Sequence, residues 1–358
     1  MSRTVQVRRA ALNQMRIVEA PLPPLGQDEA RLRVESFSVT ANNVTYAVAG
    51  DAFGYWNFFP GEGKWGVVPM WGHAVVEASN HPGITVGERV YGYLPMATHL
   101  DVLPVKVGSG GFVDGAAHRQ PMSPIYNQYS RLAADPEHDP AREAERMIFG
   151  PLFKTGFLIE SMFRGKGWFG AEAVISTSAS SKTAMALASV ARDKSPQVER
   201  IGLTSPGRVD FVKATGFYDR VLAYDAVASL PQAPSVSVDF AGNAALLHAI
   251  HSALGDNLRY SCTVGATHVG QGFGRENGAL PGPAPVLFFA PDHAVAAIAE
   301  LGPKGFGDAV AASWAKFVRE TEGAVRVDER HGLAAAQAAF VDTLNGVADP
   351  AVGIVILP

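Results

Sequence analysis

The pattern of apolar and polar positions changes character along the chain. Early on, apolar runs are short and alternate with period two: Arg31-Leu-Arg-Val-Glu-Ser-Phe37 sets Leu32 and Val34 on one face, as a half-buried strand requires. Residues 67–77 and 88–94 read as further strands, separated by the turn-forming Asn80-His-Pro-Gly83. Residues 140–164 predict a long helical stretch, kinked at Pro151 because proline removes a helix hydrogen bond. After it, strands and helices take turns. Residues 171–177 predict a buried strand, followed by a helix with Ala184, Leu187, Ala188 and Ala191 at helical spacing. Strands are expected at 198–204, 220–224, 235–240, 259–264 and 285–289, with a helix at 206–215. Such alternation implies a parallel sheet covered on both faces, with ligands at the carboxyl ends of its strands. Two helical patterns, 303–320 and 332–345, close the chain, each paired with a short strand at 324–327 and 352–357. The last strand is expected to return to the first domain.

Composition narrows the class. A chain of 358 residues exceeds what a single hydrophobic core usually serves, so two domains are expected. Hydrophobic residues make up 47% and charged residues 18%, which suits a packed globular enzyme and argues against disorder. The net charge of −4, with no basic block, offers a phosphate backbone little grip, and nucleic acid is not expected as a partner. Cys262 is the only cysteine, so neither an internal disulfide nor a cysteine-rich metal site can form. Residues 1–11 lack the apolar core of a signal peptide, and no stretch of about 20 apolar residues is present to span a membrane. A cytoplasmic location without membrane attachment is expected.

Four segments carry a family resemblance. They are Ala41-Asn-Asn-Val-Thr-Tyr-Ala-Val-Ala-Gly50; Gly72-His-Ala-Val-Val76 leading to Val86-Gly-Glu-Arg-Val90; His331-Gly-Leu-Ala-Ala-Ala-Gln-Ala-Ala-Phe340; and Gly353-Ile-Val-Ile-Leu357. Their order and spacing resemble the medium-chain dehydrogenase/reductase superfamily, particularly its zinc-independent, quinone-oxidoreductase-like branch. The resemblance implies an α/β fold: a Rossmann-type doubly wound parallel sheet over residues 126–302, plus a β-rich, GroES-like catalytic domain over 1–125 and 303–358. It also implies a dinucleotide cofactor; the oligomeric state is not readable from the sequence, but the strand at 285–289 is a candidate edge for the homodimer pairing common in the superfamily. Three departures stand out. Thr45 replaces an Asp of the family's first motif, Glu88 replaces the Asp of its turn, and the glycine-rich phosphate loop is missing.

In place of that loop stands Ser176-Thr-Ser-Ala-Ser-Ser-Lys-Thr183. Small residues can partly stand in for glycine, serine hydroxyls can donate to phosphate, and a helix start points unpaired N–H groups at an anion. Ser178, Ser180, Ser181, Lys182 and Thr183 are therefore cofactor candidates, although the same serines would serve an ordinary helix cap. The next strand end, Gly202-Leu-Thr-Ser-Pro-Gly-Arg208, carries no acid to accept bonds from an adenosine ribose. Thr204, Ser205 and Arg208 could instead bind a 2′-phosphate, which favours NADP(H) over NAD(H). Small residues at later strand ends, Ala241, Gly242 and Gly265, would let a nicotinamide ribose approach the backbone. Phe288 and Phe289 end the sixth strand, where either a ring contact or core packing accounts for them.

Zinc-using members of the superfamily bind metal through Cys, His and a carboxylate or second Cys. Here His73 has no cysteine to accompany it, so no metal is expected. Without zinc, oriented donors must stabilise charge on a substrate oxygen. By resemblance Asn42 lies near the nicotinamide, and Tyr46, Tyr55 and Tyr126 are candidate proton donors, with Tyr129 a further one. The stretch Phe53-Gly-Tyr-Trp-Asn-Phe-Phe-Pro60, with Trp65 and Trp71, reads as an apolar substrate wall or a satellite core. The function these features imply is NADP(H)-dependent reduction of an activated C=C bond or a carbonyl in a hydrophobic small molecule. A catalytically inactive NADP(H)-binding sensor or scaffold is the alternative.

Overall fold

The computed structural model describes residues 1–264 and 280–358, and these divide into two compact units, 1–148 with 326–358 and 149–325. Both boundaries fall later than the expected 125/126 and 302/303. Local pairing explains each shift. Strand Gln128–Arg131 hydrogen-bonds antiparallel to strands Arg89–Pro95 and Gly111–Asp114, which holds Tyr126 and Tyr129 in the β-rich unit. Residues 303–320 belong to the other unit because Trp314 and Phe317 pack edge-on and tilted against Phe149 and Phe153.

In the first unit a nine-stranded sheet is built around strand Ala30–Val39, paired antiparallel with Pro69–Ser79, which pairs with Arg89–Pro95. The final strand, Val352–Leu357, pairs antiparallel with Ala30–Val39, so the chain does return to its first domain. Its parallel neighbour is Arg326–His331, longer than the four residues expected there. Alternation places Leu32 and Val34 in one core with Val76 and Val90, and the irregularity between Val34 and Ser36 turns Phe37 into it as well; Ala336, Ala339 and Phe340 of helix Leu333–Leu344 close it. A separate three-stranded sheet joins Ala11–Ala20, Ser2–Arg8 and Trp65–Gly66.

The second unit is a six-stranded, all-parallel sheet. Numbered in chain order, its strands run 3-2-1-4-5-6: Arg220–Ala223, Glu199–Thr204, Ala173–Ser176, Ser235–Asp239, Leu258–Val264 and Val286–Phe288. Strand order reverses between the first and fourth strands, the place where doubly wound sheets take their ligands. The first strand is buried at every residue, as a parallel strand covered on both faces must be. Helix Lys182–Lys194 follows it with Ala184, Leu187, Ala188 and Ala191 all buried, as their spacing predicted.

Helix Glu143–Gly165 carries Pro151 inside it and covers most of the long helical stretch expected at 140–164. The helix expected at 303–320 follows directly on Gly302, whose non-helical φ of 72° separates it from an earlier helical stretch that begins at Ala290. Among the described residues no helix is long and apolar enough to cross a membrane.

Candidate active site

In the parallel-sheet unit, the glycine-free loop takes the turn that glycine would ordinarily make. Ser178 sits at φ 48°, in the left-handed region that favours glycine, and Tyr224 hydrogen-bonds to it. Ala179 N–H bonds the Leu203 carbonyl at 2.9 Å, and its own carbonyl accepts from the Tyr218 hydroxyl at 2.9 Å. Close packing here needs Gly202, because a Cβ on it would come within 2.9 Å of the Ala179 Cβ. Glycine's contribution to close strand–helix approach has moved from the loop to the neighbouring strand. Ser181 caps the helix, its hydroxyl oxygen accepting from Ala184 N–H at 3.3 Å. That cap takes one of the four N–H groups that a helix start leaves without intrahelical partners. Ser180 and Lys182 are partly exposed beside it, Thr183 is buried, and Lys182 Nζ also lies 6.0 Å from the centre of the Phe149 ring.

Thr204 is buried at the end of the second strand, and Ser205 and Arg208 stand in the following turn, where Arg208 N–H donates to the Ser205 carbonyl at 2.9 Å. At the switch point, sequence reasoning missed Thr177 and Asp239. The Thr177 hydroxyl donates to Asp239 at 2.6 Å, and the same carboxylate accepts from Ala241 N–H at 3.0 Å and Gly242 N–H at 3.2 Å. The amides of Ala241 and Gly242 are thus turned inward, leaving their small size as what they offer a ligand. An acid closing the run Ser-Val-Ser-Val-Asp was the available signal. Phe288 is buried and stacks on His293 at 4.1 Å; Phe289 stands at the start of the next helix, and Gly265 lies outside the described residues.

In the β-rich unit all four proposed catalytic residues come together. Asn42 and Tyr46 lie four residues apart on helix Ala41–Val48, one turn along the same face, and Asn42 Nδ2 donates to the Tyr46 oxygen at 2.6 Å. Trp71 Nε1 donates to that oxygen at 3.1 Å. Tyr55 packs 4.7 Å from Tyr46, centre to centre, and its hydroxyl lies 3.2 Å from that of Tyr126. Tyr93, not singled out from sequence, sits 4.8 Å from Tyr126 and 5.3 Å from Tyr46. Burial pushes Tyr46 well above the usual phenol value, outweighing the bonds from Trp71 and Asn42 that favour its anion. Tyr46 therefore keeps its proton at physiological pH. With both N–H groups donating to the oxygen, that proton is directed elsewhere.

The aromatic stretch divides its labour. Tyr55, Phe58 and Phe59 join the tyrosine cluster. Trp56 instead fills the main core, and Trp65 lies under the Arg16 guanidinium at 4.4 Å. Arg119, wholly buried, holds the cluster from behind. It donates to Asp114 at 2.9 Å, to the Tyr129 hydroxyl at 2.8 Å, to Asn127 at 3.0 Å and to the Tyr126 carbonyl at 2.7 Å. Tyr129 in turn donates to the Tyr93 carbonyl at 2.6 Å, and its ring lies over Gly92, where a Cβ would come within 2.5 Å. Tyr129 is thereby a support for the cluster.

His73 is fully buried beside Tyr91, and neither ring nitrogen has a partner among the described residues. No group of three or more His, Cys, Asp or Glu that could hold a metal occurs among the described residues. Burial pulls the His73 pKa down to about 3, with Glu143 opposing and Arg146, Arg89 and His138 adding to the effect. In the folded state the ring is neutral, whereas unfolded it protonates near pH ~6.5. Its contribution to stability is complete above that value and is lost as pH falls towards 3. Denaturant titrations from pH 6 to pH 4 should show this loss at about 1.4 kcal/mol per pH unit. His73→Leu should remove one proton's worth of that slope; an unchanged slope in the variant refutes the assignment.

Comparison with known proteins agrees with the fold. Three solved structures serve as examples. CurA from Vibrio vulnificus in complex with NADPH is 14% identical, with 99% of this chain and 98% of that chain covered and a TM-score of 0.57. The mycobacterial protein Rv1454c complexed with NADPH is 16% identical over 100% of both chains, TM-score 0.55. The yhdH oxidoreductase from Salmonella enterica in complex with NADP is 13% identical over 100% of both chains, TM-score 0.56. At such identities the likeness establishes the fold alone, which this chain shares with these three proteins. No curated protein matches. A family model described as "protein of unknown function (DUF2855)" matches residues 37–349, most of the chain, and the protein therefore belongs to that family.

Proposed function

We propose that the protein is an NADP(H)-dependent, zinc-independent oxidoreductase that reduces an activated C=C bond or a carbonyl of a hydrophobic small molecule. The observation that carries this reading is the Tyr46 hydroxyl, buried, protonated and accepting two hydrogen bonds that leave its own proton to give. NADPH, when bound, supplies the hydride. Tyr46 donates a hydrogen bond to the substrate oxygen, stabilises the negative charge that develops there, and can pass its proton to the product. Asn42 and Trp71 hold the phenol in place and, by donating to its oxygen, make it a stronger acid during transfer.

The loop from Ser178 to Thr183 has what a pyrophosphate needs: a left-handed turn, a capped helix start and small residues. The segment from Thr204 to Arg208 that ends the second strand contains no acid of its own, which favours a 2′-phosphate held by Thr204, Ser205 and Arg208. That three proteins of the same fold were solved with NADPH or NADP supports the choice. Fluorescence titration should give micromolar NADPH affinity, with NADH much weaker. Arg208→Ala should weaken NADPH by roughly tenfold or more, as losing a charge-assisted hydrogen bond of 1.5–3 kcal/mol implies. Equal affinities for the two cofactors count against the reading, and binding without turnover of any enone, quinone or aldehyde favours the sensor alternative.

A homodimer belongs to the same proposal. Strand Val286–Phe288 is the last in its sheet and exposes Val286 and Leu287, as an edge strand awaiting a second copy would. Sedimentation should give twice the chain mass of 37.9 kDa, and Leu287→Lys should halve it. A wild-type chain that sediments as a monomer excludes the pairing.

A further inference from the structure

The sheet face that carries the tyrosine cluster continues beyond it. Strands Pro69–Ser79 and Arg89–Pro95 set Trp71 opposite Tyr93 and His73 opposite Tyr91. Side chains two apart share a face, so these four form one patch. Arg146, from helix Glu143–Gly165, lays its guanidinium carbon 4.2 Å from the centre of the Tyr91 ring. Hydrogen bonding at this end is incomplete. Both nitrogens of His73, the hydroxyl of Tyr91, and Nε and Nη1 of Arg146 are buried without a partner among the described residues. Arg146 is only 3% exposed, and its Nη2 donates to Asp135 at 2.5 Å. By contrast, the buried Arg119 of the same unit has donors engaged on both sides of its guanidinium. Each orphaned buried donor is costly, and folds rarely gather several in one place unless the working state satisfies them.

The inventory of these groups defines what would satisfy them. Guanidinium N–H groups and phenol hydroxyls donate, and a neutral imidazole brings one donor and one acceptor. Donors are therefore in surplus, and the ligand must supply acceptors. The neighbouring carboxylates are already engaged: Asp135 with Arg146, and Glu143 with Arg89 and His138. A further oxyanion would meet a guanidinium, the group best matched to a carboxylate.

We propose that the His73–Tyr91–Arg146 end of this face binds the carboxylate of the substrate, so that the molecule reduced is a flat, apolar acid. This rests on the reductase reading above and sharpens it. Trp71 links the two ends. Its indole donates to Tyr46, and its ring stacks 5.7 Å from Tyr91. A planar acid lying along Trp71 would put its reducible group at Tyr46 and its carboxylate at Arg146.

The test is calorimetric binding of trans-cinnamate and its neutral isostere trans-cinnamamide to the full chain, with and without saturating NADPH. Cinnamate should bind at least tenfold tighter. Tyr91→Phe removes one orphaned hydroxyl and breaks no hydrogen bond of the structure, so it should keep the fold while weakening cinnamate severalfold and sparing cinnamamide. Arg146→Gln should abolish the preference; if it does not fold, Tyr91→Phe decides. Equal affinity for acid and amide, no binding of either, or an unaltered Tyr91→Phe preference overturns the proposal, the first meaning that water or a neutral acceptor fills the site. NADPH affinity, measured separately in each variant, should be unchanged. A wild-type chain that binds NADPH but shows no preference for cinnamate sinks the carboxylate subsite alone, whereas wild-type cinnamate binding without NADPH binding sinks the reductase reading.

Discussion

Tyr46→Phe should lower kcat for NADPH oxidation by about 10²–10⁴-fold, the usual contribution of one positioned general acid, with NADPH affinity unchanged. The argument rests on which atoms donate. Asn42 and Trp71 both direct N–H groups at the Tyr46 oxygen, so the phenol's own proton is held by neither. Burial keeps that proton in place, since the phenolate would be desolvated. Phenylalanine preserves the packing against Tyr55 and Tyr93 but removes the donor. It also strands two donors, so a modest stability loss of about 1–3 kcal/mol should accompany the kinetic effect. Tyr55→Phe, which alters only the contact with Tyr126, should be milder. Turnover by Tyr46→Phe at the wild-type rate, with any acceptor the enzyme uses, removes Tyr46 from the chemistry.

The largest stability loss should come from Arg119→Met. Removing one member of a buried ion pair typically costs about 3–5 kcal/mol, because the other charge is left uncompensated. Here Asp114, 1% exposed, would lose its guanidinium partner. The Tyr126 carbonyl, the Asn127 amide oxygen and the Tyr129 hydroxyl would each lose a donor. Methionine fills part of the space without replacing any of these bonds. Urea unfolding of the full chain should show the β-rich unit melting earlier, and the tyrosine cluster should lose order with it. A loss below about 1 kcal/mol would match only an exposed pair and contradict this account.

Most elements of the fold were legible because their signals are local. The run Ala-Val-Ile-Ser and the helical spacing of Ala184, Leu187 and Ala188 report burial directly, and the structure follows them. Boundaries moved where a distant partner decided: residues 128–131 joined the β-rich sheet through pairing with strands that their own sequence does not reveal.

The candidate site was legible in part. Asn42 and Tyr46 stand at helical spacing, and Tyr55 and Tyr126 were noted as donors without any way to know that their hydroxyls meet. Arg119 gave no signal, since an arginine in a polar stretch reads as a solvated one. The same holds for Asp239, whose acceptor role depends on a loop closing back over it. By itself the sequence determined most of the elements, the parallel sheet and the missing loop glycines, because periodicity and residue size act over a few neighbours. Only the tertiary structure decided that Gly202 makes room beside the loop, that three tyrosines and a tryptophan surround Tyr46, and that His73 and Arg146 keep unpaired donors. These depend on contacts between residues distant along the chain, whose energies are set by burial and geometry and leave no mark on local pattern.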